Sequence, residues 1–295
     1  MDYLVFGENV YIKSNNNKFF SFDYNDNYIA EFSIDEKKDS IIAKSNTTDI
    51  ESINLIAEIL YFYGNKEKNV IYQSNDNDDL DLKGFEKNKN IYIKKVKEFE
   101  KERAKKFNSI DELYKYPYLV PWNLVERERD VLALVEKYVD KSKNILEIGS
   151  GYGKNLLLLK EHGYDNVQGI ENSRNAYEIS KQKIDNNTLG DITKTNYNDS
   201  KFDAIIDIGC LHCIDHKYQE KAVKEVLRIL KKDGLLISRY FLPKDKKWLD
   251  RYPVKVTSFG SNYEELVKLF KNFNIIESCI ENECVYIVGR KNEED

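Results

Sequence analysis

The run Ile145-Leu146-Glu147-Ile148-Gly149-Ser150-Gly151-Tyr152-Gly153 decides the fold of the second half of the chain. Its branched apolar residues read as a buried strand, and the glycines that follow stop that strand abruptly. Residues 154–160 then take up helical spacing. Gly149 permits a sharp turn, and Gly151 lets a ligand lie against bare backbone. The helix start adds unpaired amide donors and a partial positive charge. A strand, a glycine loop and a helix in this order make a site for a nucleotide-like ligand.

The surroundings repeat the same unit. Strands are expected at 144–148, 167–170, 204–208 and 235–238 with helices between them, a pattern that gives a parallel sheet covered on both faces. The end differs. Two strand-like runs, 275–279 and 285–288, are separated by only five residues, too few for a crossover helix, so this pair is expected to be antiparallel. The first ninety residues alternate short strands (10–12, 19–22, 28–32, 41–43, 70–72 and 91–93) with Asn, Asp and Lys turns. One helix interrupts them, with Thr48 and Glu51 read as its capping box and Gly64 as its end. A charged helix over 94–107 is expected to be a solvated, salt-bridged connector. Ser109 and Glu112 open a second short helix that must stop before Pro117. Two prolines in Tyr116-Pro117-Tyr118-Leu119-Val120-Pro121-Trp122 make a rigid loop, and a helix over 123–139 leads to the sheet. The expected organisation is a small α+β domain over 1–110, a linker and lid helix over 111–140, and the glycine-loop domain over 141–295.

Composition excludes several classes. Hydrophobic residues make up 41% of the 295, enough for a buried core. Charged residues make up 33% with both signs interspersed, for a net charge of −5, without the basic stripe that a nucleic-acid partner calls for. No signal-like start or membrane span is read, and four cysteines suit a reducing compartment, so a cytoplasmic protein is expected.

Spacing separates the candidate ligands. Dinucleotide folds use G-x-G-x-x-G, whereas the third glycine here arrives one residue early and Lys154 holds the sixth position. With Glu147 two residues before the first glycine, the E-x-G-x-G-x-G run resembles motif I of class I S-adenosylmethionine-dependent methyltransferases. Further stations agree in order: Glu171 at the end of the second strand, Gly190-Asp191-Ile192, the run from Lys201 to Ile208, and Lys232-Asp233-Gly234 before the next strand. The resemblance implies a Rossmann-like α/β fold with a seven-stranded sheet ending in an antiparallel pair, preceded here by the small α+β domain. It implies S-adenosylmethionine as cofactor, held by Glu147, Gly149, Ser150, Gly151, Glu171, Asn172, Asp191, Ile192 and Asp207.

The acceptor side is sought after the fourth strand, in Asp207-Ile208-Gly209-Cys210-Leu211-His212-Cys213. It lacks the N/D-P-P-Y/F tetrad of amino-group methylation on bases or glutamine and the Pro-Cys pair of cytosine methylation. It resembles the D-x-G-x-L/F-H segment of small-molecule enzymes of the thiopurine and tellurite methyltransferase type. On that resemblance His212 is the candidate base, with plain packing as the alternative, while Tyr118, Trp122 and Cys210 face the acceptor. Cys210, Cys213, His212 and His216 include zinc-type ligands, but no second pair completes a set, so no metal is expected. A small-molecule acceptor is favoured over a protein or peptide. The segment 241–259 is expected to wall the acceptor site. Aminopropyl transfer and a non-catalytic S-adenosylmethionine-binding subunit are the competing readings.

Overall fold

The computed structural model describes residues 3–16, 18–64, 66–74, 79–125, 129–242, 253–254, 263–281 and 284–292. The chain divides into two compact units, Met1–Arg127 and Glu128–Asp295.

The first unit is built on a mostly antiparallel sheet. Strands β1 (Leu4–Phe6), β2 (Val10–Asn15), β3 (Lys18–Asp23), β4 (Tyr28–Glu36) and β5 (Ser40–Ser45) form a meander. Helix α1 (Ile50–Tyr63) then carries the chain to β6 (Asn69–Ser74), which pairs parallel to β5. The hairpin β7 (Glu86–Asn88) and β8 (Ile91–Lys94) completes the order 1-2-3-4-5-6-8-7. Helix α1 buries Ile53, Ile56, Ile59 and Leu60 against Val5, Ile12, Phe32 and Tyr72. Its N-cap is Asp49, which accepts from the Ser52 amide, rather than Thr48. Glu51 does not close a capping box either: its Oε1 accepts from the amides of Glu8 and Asn9 and fixes the β1–β2 turn.

Helix α2 (Val96–Arg103) is shorter than the charged connector read from sequence, and it is not merely solvated. Phe99 is fully buried, stacked on Tyr61 at 4.3 Å. Lys94, at the end of β8, bonds Glu58 and Glu102, each at 2.8 Å, and Arg103 reaches Glu58 at 2.6 Å. After α3 (Ile110–Leu113), the aromatic and proline segment forms two 3-10 turns, Pro117–Leu119 and Pro121–Asn123. Asn123 exchanges bonds with the backbone of Phe6, and Leu124 joins the core of this unit. The segment read as a linker is thus split. Residues 111–125 are packed parts of the first unit, while α4 (Arg129–Tyr138) belongs to the second, where it buries Val131, Leu132 and Val135 against the sheet.

The second unit runs β9 (Ile145–Ile148), α5 (Lys154–Glu161), β10 (Val167–Glu171), α6 (Arg174–Ser180), β11 (Asn187–Leu189), β12 (Phe202–Ile208), α7 (His216–Ile229), β13 (Leu230–Phe241), α8 (Tyr263–Leu269), β14 (Phe273–Glu281) and β15 (Cys284–Lys291). The sheet order is 11-10-9-12-13-15-14. Pairs among the first five strands are parallel, and β15 runs antiparallel to both β13 and β14. Apolar side chains fill both faces. Leu146, Ile148, Ile205 and Leu236 meet α7 and α8 on one, and Ile145, Ile206 and Ile237 meet α4 and α5 on the other. Order reverses between β9 and β12, so the carboxyl ends of β9, β10 and β12 converge on a crevice, the usual place for a ligand in such a sheet. Among the described residues, no helix is long and apolar enough to cross a membrane.

Candidate cofactor and acceptor site

The glycine loop leaves β9 with three left-handed residues, Gly149, Gly151 and Gly153, at φ +64°, +55° and +82°. L side chains resist this region of backbone space, which is why glycine recurs at alternate positions. Gly149 answers a second demand. A β carbon on it would stand 2.6 Å from the Cβ of Cys210, so the loop after β12 packs directly on the loop after β9.

Glu171 ties the neighbouring strand end to that loop. Its Oε2 accepts from the Gly151 amide and its Oε1 from the Ser173 amide, both at 2.7 Å. The two bonds fix the plane of a carboxylate that is 6% exposed at the carboxyl end of β10. Its oriented oxygens suit a ribose diol, since a carboxylate has about four acceptor sites. Ser150 is also locked, donating to Asn187 at 2.8 Å.

Glu147 lies beneath the loop. It is buried, with Oε1 bonded to the Asn155 amide at 2.7 Å and Oε2 without a hydrogen-bond partner. Burial, with smaller contributions from Glu171 and Asp207, pushes its pKa up to about 8. A buried acceptor left unsatisfied is costly. The orphaned oxygen lies in an acidic setting with Glu171 and Asp207, which disfavours a pyrophosphate.

Other expected contacts fall elsewhere. Asp207 is fully buried and its carboxylate serves the protein: Oδ1 accepts from the amides of Cys210 and Leu211, and Oδ2 from the Ser238 hydroxyl at 2.7 Å. Asp207 was expected as a cofactor contact, and in the structure three internal donors engage it. It acts by holding the 209–213 loop in place. Burial raises its pKa to about 6, opposed by those bonds. Ile192 is a core residue beside Ile170 and Phe202, so its side chain is not open to a ligand. Asp191 is exposed and its Oδ1 accepts from the Thr193 amide, while Asn172 lies exposed beside Glu171.

The acceptor-side loop is a single 3-10 turn, Leu211–Cys213, between β12 and α7. His212 lies edge-on to Tyr240, and its Nδ1 accepts from the Phe241 amide at 3.3 Å. Burial first, and then the Arg239 charge, push its pKa down to about 3. The ring is therefore neutral, with the proton on Nε2 and the basic lone pair on Nδ1 turned to the backbone. That arrangement makes His212 a hydrogen-bond donor and argues against its role as a base. Burial and the neighbouring carboxylates hold the Cys210 thiol well above its ordinary range, so it is a thiol and not a nucleophile.

Tyr118 and Trp122 are in the first unit. The Trp122 indole donates to the Tyr114 hydroxyl at 3.0 Å, and the Tyr118 carbonyl accepts from Arg103 at 2.9 Å. Pro243, Trp248 and Tyr252, in the segment expected to wall the acceptor, lie outside the described residues. Among the described residues no three His, Cys, Asp or Glu side chains gather as metal ligands. Sequence reasoning missed Asn155, Ser173 and Ser238. Ser173 had a readable signal, as the N-cap of α6 two residues after Glu171.

Residues 146–238 match the family described as a methyltransferase domain. The second unit is thus similar to a methyltransferase domain, the family that its glycine loop resembles. Its cofactor is S-adenosylmethionine. An uncharacterized protein of Methanocaldococcus jannaschii is 28% identical over 155 residues, 52% of this chain and 55% of that protein. A ribosomal protein L11 methyltransferase of Thermosipho africanus is 26% identical over 153 residues, 50% of this chain and 49% of that protein. The chain thus spans about half the length of these curated relatives. A crystal structure of an S-adenosylmethionine-dependent methyltransferase from Methanosarcina mazei aligns with a TM-score of 0.48 at 20% identity, covering 54% of this chain and 96% of that one. In the matched region the left-handed glycine loop and the oriented Glu171 fit this cofactor. Glu171, oriented by two backbone amides, has the acceptor geometry expected toward a ribose diol.

Proposed function

We propose that the chain is an active methyltransferase acting on a small-molecule acceptor that brings its own lone pair. The observation that carries this reading is the state of His212, neutral and bonded through Nδ1 to the Phe241 amide. Bound S-adenosylmethionine supplies an electrophilic methyl group on a sulfonium. The protein's share is to place the acceptor in line with that group and keep water out, where proximity and orientation account for much of the rate. Asp207 fixes the loop, Cys210 seats it against Gly149, and His212 donates from Nε2 to orient an acceptor that arrives unprotonated. A neutral amine, a thiolate or an acidic hydroxyl satisfies this requirement without a resident base. The uncharged character of Cys210 and His212 favours such a ligand over the polyamine needed for aminopropyl transfer.

A protein acceptor is the second reading. It draws on the similarity to the ribosomal protein L11 methyltransferase and on the separate first unit. The two are separated by measuring S-adenosylhomocysteine release from purified protein against a panel of small thiols, amines and phenols, and against ribosomal protein L11. Turnover with a small compound supports the first reading. Turnover with the protein alone supports the second, and release with neither across the panel rejects an active enzyme for these acceptor classes.

A further inference from the structure

The turn after Asp191 and the outer face of α7 enclose an open groove of about 530 Å3, lined on one side by residues 193–197 and on the other by Lys221, Lys224, Glu225 and Arg228. Its walls carry the cations Lys194, Lys221, Lys224 and Arg228 against one carboxylate, Glu225. That balance is the reverse of the whole chain, whose net charge is −5.

Arg228 is committed to the frame of the groove. It bonds Glu225 through Nε at 2.9 Å and Nη2 at 2.6 Å, and through Nη1 it reaches Asp199 and the Tyr197 carbonyl at 2.5 and 2.8 Å. Thr195 closes the frame, its amide and its hydroxyl both donating to Glu225. These bonds fix the distance between the turn and the helix. They also cancel the Arg228 charge, so the positive character of the groove rests on the three lysines.

Lys194, Lys221 and Lys224 are all exposed, and none makes a side-chain ion pair or hydrogen bond among the described residues. Lys221 and Lys224 are three residues apart on one helix and so share a face. Lys194 approaches from the opposite wall. All three line one groove from two elements, so a multivalent anion seated there pairs with more than one of them. Lysine acts as a point charge toward phosphate. Thr193 and Asn196 add a hydroxyl and an amide to the lining.

We infer that this groove binds a small phosphoryl anion of the phosphate-ester or pyrophosphate type. A tracking polyanion fits less well, because Asp199, Glu220 and Glu225 interrupt the basic surface within a few residues of the lysines. The groove begins two residues after Asp191 and lies outside the Glu147, Glu171 and Gly151 constellation, so this inference does not depend on the acceptor reading.

The test is calorimetric titration of the full chain with sodium pyrophosphate at low ionic strength, repeated on Lys221→Glu/Lys224→Glu and on Lys217→Glu. Lys217 lies on the same helix, outside the groove lining, and pairs with Asp215. Sub-millimolar binding that weakens at least tenfold in the double variant, but less than twofold in Lys217→Glu, supports the site. S-adenosylmethionine affinity serves as the folding control in each variant. Absence of pyrophosphate binding to the wild type overturns the inference. So does an equal loss in Lys217→Glu, which would mean surface charge alone, and so does tighter binding of a short single-stranded RNA than of pyrophosphate.

Discussion

Cys210 sits on Gly149, so close that a β carbon on the glycine would stand 2.6 Å from the Cβ of the cysteine and 2.9 Å from its sulfur. The loop that serves the cofactor and the loop expected to serve the acceptor are therefore one packed object, and a change in either displaces the other.

Gly149→Ala combines this clash with a φ of +64°. Left-handed strain costs roughly 1–2 kcal/mol and overpacking about 1–3 kcal/mol, so a loss of about 2–5 kcal/mol is expected, together with weakened cofactor binding. Cys210→Gly removes the clash but not the strain. The double variant should regain about 1 kcal/mol or more relative to additivity, a coupling of the size found for residues in contact. A double-mutant cycle by denaturant unfolding checks this, and strict additivity would show that the two loops are independent.

Glu147 makes the stability of the apo protein depend on pH. Its pKa stands at about 8 in the folded chain against an ordinary value of 4.5. The folded state then holds a proton that the unfolded state has lost across that interval, so stability falls as pH rises from about 5 to 8. In Glu147→Gln this part of the slope should vanish. Thermal melts of both proteins across that range check it, and parallel slopes would contradict it.

For Asp207 the substituent decides the outcome. Asp207→Ala leaves the amides of Cys210 and Leu211 and the Ser238 hydroxyl without their acceptor, and at about 1–3 kcal/mol for a buried group left unsatisfied the expected loss is about 3 kcal/mol or more. Asp207→Asn keeps one oxygen for the two amides and turns its NH2 toward Ser238, for a cost of about 1 kcal/mol. Similar losses in chemical denaturation would count against the anchoring role.

His212→Gln should keep more activity than His212→Ala, because the amide replaces a donor. With its pKa held near 3, His212 contributes no inflection to the rate between pH 5 and 8. An inflection near pH 6–7 in the wild type that disappears in His212→Gln would restore the histidine as a base.

Much of this was legible in sequence where local rules act alone. The glycine loop, the parallel strands and the antiparallel closing pair followed from spacing, because apolar periodicity and connection length are local quantities. The places of Glu147 in β9 and Glu171 at the end of β10 were legible for the same reason, through their register to Gly149. The short strands β1, β7 and β11 were not, since three residues carry no period. The buried Lys94, Glu58 and Arg103 cluster was hidden because partners 36 and 45 residues from Glu58 are brought together only by the fold. Asp207 and His212 were located correctly but assigned roles by analogy. Their partners, Ser238 and Phe241, lie on β13, and only the sheet register reveals that one carboxylate is occupied and one imidazole lone pair is turned inward.

The most direct test is isothermal titration of the purified chain with S-adenosylmethionine, S-adenosylhomocysteine and NAD, repeated on Glu171→Ala. The structure predicts micromolar binding of the first two, no binding of NAD, and at least a tenfold loss in the variant, whose side chain no longer receives the Gly151 and Ser173 amides. Binding of NAD alone, or of none of the three, would contradict the assignment of the glycine loop.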